Sequence, residues 1–209
     1  MTIIKKKWDS SKVGKFIGAK NKSSHSIIIF MEYVPLVVKD WLTASYEKNL
    51  LYVKQIQNII RFLMSKNIIH FDIHTANMLS DGDIIYLIDY GLVYDYAFVT
   101  TANEKLFYDN NTYYDYAKGI NGLMNGLKTK LDRPMLEEYN LKRDDSEKIL
   151  LHIDDIAGKL DLESGYVELL KKYNKVIIAY EKFMKQLQNN VHTEFPNADV
   201  RYLATLNDF

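Results

Sequence analysis

The distribution of apolar and polar positions divides the chain into successive stretches of different character. Residues 1–25 are polar and rich in Lys and Ser, with Gly14 and Gly18 spaced through them, and carry little periodic signal. "SIIIFMEYV" at 26–34 is an unbroken β-branched and aromatic run, which predicts a buried strand. Between Asn49 and Lys66 the apolar positions Leu50, Val53, Ile56, Ile60, Leu63 and Met64 follow the helical period. Asn49 is suited to cap that helix and Asn67 to stop it in a left-handed conformation. Short strands are expected around 68–70 and 76–79, with a third at 84–88 joined by the turn "SDGD".

Residues 92–116, rich in Tyr, Thr and Asn, read mostly as loop. Helices follow near 113–128, from about Ser146 to Leu160, and near 164–188. The last carries one stripe of Tyr166, Leu169, Leu170, Tyr173, Ile177, Tyr180, Met184 and Leu187. The sum is an α+β chain with a small β part, one long helix, three short strands and a helical block. No internal repeat or low-complexity linker interrupts it.

Composition narrows the function classes. With 209 residues the chain can bury a sizeable core. Lys plus Arg equals Asp plus Glu at 27 each, so no global field points to nucleic acid or to an acidic membrane. Cysteine is absent, which removes disulfides, thiolate metal sites and a Cys nucleophile. No apolar run reaches the roughly 18 residues of a membrane span, and "MTIIKKKWDSSK" has no apolar segment behind its charges. An intracellular, cytoplasmic setting is the expectation, in a host cell if the chain is viral.

The chemistry concentrates in "IIHFDIHTANML" at 68–79 and the "DGDIIYLIDYGLVYD" that follows it. The order is His70, Asp72, Asn77, then eleven residues, then Asp89 and Gly91, or H-x-D-x-x-x-x-N followed by D-x-G. Two readings compete for Asp72, Asn77 and Asp89. They could form Asx-turns with no ligand, or belong to a surface loop that holds something charged. His25, His152 and His192 are scattered without ligand spacing, and Asp154 and Asp155 face apart on a helix.

This pattern resembles the catalytic loop and metal-binding triplet of the protein-kinase-like superfamily. It is closest in style to atypical or viral kinases and aminoglycoside-phosphotransferase-like kinases. The resemblance covers residues 26 to about 120 and implies a minimal N-lobe and hinge over 1–34 with a mainly helical C-lobe over 35–209. It implies Asp72 as catalytic base, Asn77 and Asp89 as ligands of Mg²⁺ or Mn²⁺, and ATP as the phosphoryl donor. Gly91 is expected to let the backbone turn after the metal ligand. His70 is expected to pack under the loop and hydrogen-bond the backbone near the triplet. His74 stands where protein kinases usually place Lys and is expected at the γ-phosphate, against the alternative of a solvent-facing loop histidine.

"MEYV" at 31–34 resembles the hinge, with the Glu32 carbonyl and the Val34 N–H meeting adenine; otherwise Glu32 is the one exposed acid of a buried strand. Asp115 in "YYDYAKGIN" resembles the Asp that ties down the catalytic loop, against an ordinary helix N-cap. Phe71 replaces the Arg that grips a phosphorylated activation loop in many protein kinases.

The sequence also departs from the family. No good Gly-rich loop, strand Lys or partnering helix Glu stands ahead of residue 26, and no A-P-E follows the triplet. Two functions are therefore expected as alternatives. One is a kinase acting on a hydroxyl of a protein or small molecule. The other is a kinase-like binding or scaffold module that takes its N-lobe from elsewhere, with a partner chain or second copy docking on the edge of residues 26–34.

Overall fold

The computed structural model describes Lys15, residues 18–20, Lys22, residues 24–25 and residues 28–209. The chain forms two units, Met1–Tyr33 and Val34–Phe209. The described part of the first contains no strand, which corrects the expectation for 26–34. Ile28, Ile29, Phe30, Met31 and Tyr33 are exposed, Phe30 at 92%. A β-branched run becomes a buried strand only when a neighbour supplies a ladder and a face to pack on. Ser26 and Ile27 lie outside the described residues.

The second unit mixes helices with small antiparallel sheets, so the α+β class holds at that level. Among the described residues no helix is long and apolar enough to cross a membrane. Strand β1 (Leu36–Val37) and helix α1 (Val38–Trp41) lead into α2 (Tyr46–Ser65). Helix α2 starts before Asn49, and Ser45 occupies the N-cap without a side-chain bond. Asn49 is buried instead, donating from Nδ2 to the carbonyls of Thr43 and Ser45 at 2.7 Å each. The free N–H of Tyr46 donates to Glu163 Oε2 at 2.8 Å, a carboxylate at the positive end of the helix. Tyr52, Val53, Ile56, Ile60 and Leu63 are buried on the inner face. Asn67 stops the run with φ 55°, in the left-handed conformation expected of it.

Past α2 come β2 (Ile68–Ile69), β3 (Met78–Ser80), β4 (Ile85–Leu87) and β5 (Tyr94–Asp95). One sheet has the order β1-β3-β4 and the other pairs β2 with β5. The β3–β4 turn is closed by Asp81 Oδ1, which accepts the N–H groups of Asp83 and Ile84, with Gly82 at φ 113°.

The segment 92–116, expected as loop, holds β5 and helix α3 (Ala102–Asp109), which Thr101 and Glu104 start with a reciprocal capping box. Helices α4 (Tyr114–Asn121) and α5 (Met124–Lys130) replace the single helix expected over 113–128. The Tyr166 hydroxyl sits at this break, donating to the Leu123 carbonyl at 2.7 Å and accepting the Leu127 N–H at 3.0 Å. It thereby satisfies backbone groups that a continuous helix would have paired internally. Helices α6 (Arg133–Glu138), α7 (Ser146–Leu151), α8 (Ile153–Leu160), α9 (Ser164–Asn189) and α10 (Asn197–Leu206) complete the unit.

Helix α9 packs on α2, α4, α7 and α10, and α2 packs on α4. Tyr166, Leu169, Leu170, Tyr173, Ile177 and Tyr180 of its stripe are buried. Gly119 lets α4 approach α2 closely, because a Cβ there would meet Ile56 Cγ1 at 3.0 Å and Ile60 Cδ1 at 3.3 Å. This packing fixes α4, and α4 carries the support for the site.

Candidate functional site

The loop between β2 and β3 holds His70, Asp72, His74 and Asn77, and the β3–β4 hairpin returns Asp89 to the same place. Register does this: Met78 pairs with Leu87, and the Ile88 N–H donates to the Asn77 carbonyl at 3.0 Å. Asn77 therefore lies directly before one strand and Asp89 two residues past the end of its partner. The β2–β5 pairing of Ile69 with Tyr94 brings the chain beyond Gly91 back beside the start of the loop.

Asp115, in the first turn of α4 and 3% exposed, anchors the loop backbone. Its Oδ2 accepts the His70 N–H at 2.6 Å and its Oδ1 accepts the Phe71 N–H at 2.9 Å. Phe71 has φ 59°, a conformation that costs a bulky residue about 1–2 kcal/mol and needs such support. Burial pushes the Asp115 carboxyl up to about 6, against the pull of the two N–H bonds. Asp115 is not an N-cap, since Tyr113 holds that position.

His70 is wholly buried, and its Nδ1 accepts the Asp72 N–H at 3.2 Å. Its Nε2 makes no hydrogen bond of normal geometry, and the Tyr90 ring meets the imidazole edge-on at 4.9 Å. Burial draws its pKa below the ordinary value, only partly offset by Asp72 and the Ile88 backbone. His70 thus supports the loop as a neutral ring.

The Asp72 carboxylate is held on both oxygens. Oδ1 accepts from Lys118 Nζ at 2.7 Å, and Oδ2 accepts from Asn77 Nδ2 at 2.8 Å. Burial alone would raise its pKa, but the Lys118 bond and charge, with His74 and Asn77, hold it below the ordinary carboxylate value. His74 Nδ1 accepts the Ala76 N–H at 3.2 Å, which turns Nε2 toward Asp72 Oδ1 at 3.5 Å.

Asn77 Nδ2 also donates to the Asp72 carbonyl at 3.2 Å. With the nitrogen committed twice, the amide oxygen is the end left for a ligand. Asp89 is exposed and left-handed, at φ 62° and ψ 71°, and its Oδ1 accepts the Gly91 N–H at 3.3 Å.

The expectation for Gly91 needs correcting. Its φ is not in the left-handed region; Asp89 takes that conformation instead. A Cβ on Gly91 would stand 3.2 Å from Asp89 Oδ1, so the glycine gives that carboxylate room. Glu32 lies exposed in the first unit, while Val34, half-buried, opens the second, and neither is in a strand.

Asn77 and Asp89 suit a small hard cation, as an amide oxygen and a carboxylate that leave room for water and phosphate oxygens. Among the described residues no group of three or more His, Cys, Asp or Glu is arranged to hold a metal. A metal here would therefore draw further ligands from substrate or solvent.

Lys118 was not legible as a site residue. The available signal was its i+3 spacing from Asp115, which puts both on one face of α4. Its side chain is 14% exposed, and Nζ also donates to the Phe71 carbonyl at 2.9 Å. The Phe71 ring points elsewhere, packing against Tyr114 at 5.1 Å, Phe107 at 5.5 Å and Tyr94 at 6.3 Å. Beyond it lies a cleft of about 540 Å³ whose lining includes Phe107, Leu187 and Phe195 but no Lys or Arg, so it is unsuited to phosphates.

No family model matches the chain, and no curated protein or solved structure is significantly similar to it.

Proposed function

We propose that this protein is a phosphotransferase of the protein-kinase-like type, moving the γ-phosphate of ATP to a hydroxyl on a protein or small molecule. The observation that carries this reading is the convergence of Asp72, Asn77 and Asp89 at one end of the β3–β4 hairpin, with the Asp72 loop pinned by Asp115. An unliganded run of Asx-turns has no need of an anchored, left-handed loop whose amide nitrogen is committed and whose amide oxygen makes no hydrogen bond among the described residues.

In this reading Asp72 orients the attacking hydroxyl and receives its proton. A carboxylate held below its ordinary pKa is a weak base, so orientation is its larger contribution. Asn77 Oδ1 and the Asp89 carboxylate are the groups that would hold Mg²⁺ or Mn²⁺. When bound, the ion neutralises phosphate charge and fixes the phosphoryl group for transfer. The order of elements, a long helix, a loop, a hairpin and then a helical block, supports a kinase-like C-lobe.

The test is turnover of γ-labelled ATP by the chain, with and without a candidate acceptor, compared with Asp72→Asn. Label transfer that the variant lacks supports the reading. Transfer that is equal in both proteins removes Asp72 from it.

A further inference from the structure

We propose that Lys118 is the cation that meets the terminal phosphate, supplied by helix α4 rather than by the loop. This rests on the phosphotransferase reading and assigns that site a residue.

Four observations converge on Lys118. Its ammonium lies 2.7 Å from Asp72 Oδ1, on the carboxylate that would receive the acceptor hydroxyl. A hydroxyl bonded to Asp72 stands about 2.6–3.2 Å from that carboxylate, and a phosphorus poised for attack about 3–3.5 Å further on. Laid end to end these steps span at most about 8–9 Å, so the ammonium reaches the phosphoryl oxygens when the hydroxyl sits on its side of the Asp72 carboxylate. Second, it has three N–H donors, and the structure uses two of them, on Asp72 Oδ1 and the Phe71 carbonyl. Third, the stem is held by packing, with 14% side-chain exposure and the Tyr114 ring centroid 5.8 Å from Nζ, so little side-chain entropy remains to be lost on contact. Fourth, among the described residues no other Lys or Arg forms an ion pair or hydrogen bond with Asp72, Asn77 or Asp89. The loop offers only His74, which is 42% exposed and lies on the same Asp72 oxygen at 3.5 Å.

The step balances without any further reactant. The acceptor oxygen forms its bond to the γ-phosphorus while the bond from that phosphorus to the β,γ-bridging oxygen breaks. ADP leaves with the electron pair, and the hydroxyl proton passes to Asp72 and then to water. Lys118 contributes charge to the equatorial oxygens throughout and exchanges no proton.

The experiment is calorimetric binding of ADP and of a non-hydrolysable ATP analogue, both with Mg²⁺, to the parent chain, Lys118→Met and Lys118→Arg. A γ-phosphate contact weakens the analogue about tenfold or more in Lys118→Met, leaves ADP within about twofold, and is largely restored by Arg. Equal weakening of both ligands makes Lys118 structural and overturns the inference. So does an unchanged preference for the analogue. ADP binding also reports whether each variant keeps its site, and Lys118→Arg serves if the Met variant does not fold. If neither nucleotide binds the parent chain, the phosphotransferase reading itself fails, and this inference falls with it.

Discussion

The Asp115 carboxylate and the Phe71 N–H meet at 2.9 Å, joining helix α4 to a residue held at φ 59° directly before Asp72. The same carboxylate takes the His70 N–H at 2.6 Å, so one buried side chain fixes two consecutive peptides of the candidate catalytic loop. Asp115→Ala leaves the buried His70 N–H and the part-buried Phe71 N–H without a partner, beside a backbone that is already strained. A loss of about 2–4 kcal/mol is expected, read from urea unfolding. A loss below about 0.5 kcal/mol would show that the loop holds its shape unaided.

The same residue sets a pH dependence. Its carboxyl is raised from an ordinary value near 3.8 to about 6 in the folded protein. Its contribution to stability is therefore full below pH 3.8 and is lost as pH rises through about 6. Buried His70, with its pKa lowered, works in the opposite direction: its contribution is present above pH 6.5 and lost as the pH falls through its folded value. Comparison with Asp115→Asn cancels the histidine. The stability of the parent over the variant should grow by up to about 3 kcal/mol as pH falls from 7 toward 4. A pH-independent difference would count against a raised Asp115.

Part of this site could be read from residue order alone. Asp72, Asn77 and Asp89 were visible because the loop and the hairpin are local, and their spacing fixes which ends meet. Asn67 was visible because a left-handed stop is a property of one residue and its neighbours. Lys118 was hidden: its role depends on α4 docking under the loop, a tertiary fact enabled by the close approach at Gly119. The run at 26–34 misled for a related reason, because strand propensity says nothing about whether a partner strand is present. Helix α3 was a missed local signal, since Thr101 and Glu104 spell its capping box.

The metal prediction concerns Asn77 and Asp89. ATP should raise the melting temperature only with Mg²⁺ or Mn²⁺ present, because Asn77 and Asp89 present uncharged or negative oxygens and the single Lys118 charge offsets only part of the phosphate charge. Asp89→Ala, which puts alanine at a left-handed position and removes one 3.3 Å backbone bond, should lower the unliganded melting temperature by no more than about 2–4 °C. It should abolish the Mg²⁺-dependent shift. An equal shift in parent and variant takes Asp89 out of the site.

Phe71 bears on control. Its ring is enclosed by Tyr94, Phe107 and Tyr114, so a phosphate there would meet apolar edges, while the Lys118 ammonium near Tyr114 is already held by Asp72 and the Phe71 carbonyl. Phosphorylation at Thr100, Thr101 or a nearby Tyr should therefore leave turnover unchanged within about twofold, against changes of orders of magnitude where a phosphate creates new charge-assisted bonds. The comparison is phosphatase-treated against untreated protein, and a large fall in rate on treatment would refute the idea.

The final prediction concerns the first unit, where Ile28, Ile29, Phe30, Met31 and Tyr33 are exposed at 71% or more. Six residues carrying five large apolar side chains in water form a patch that soluble surfaces usually cover. Residues 28–33 form no strand, so the attraction they offer is side-chain burial rather than a backbone ladder. Concentration-dependent self-association is the expected result, measured by sedimentation velocity. Phe30→Lys, at the most exposed of the five, should weaken it at least about tenfold, since burying an unpaired ammonium costs more than the phenyl ring gained. A monomer at every concentration, for both proteins, would mean that this apolar run has no self-complementary use.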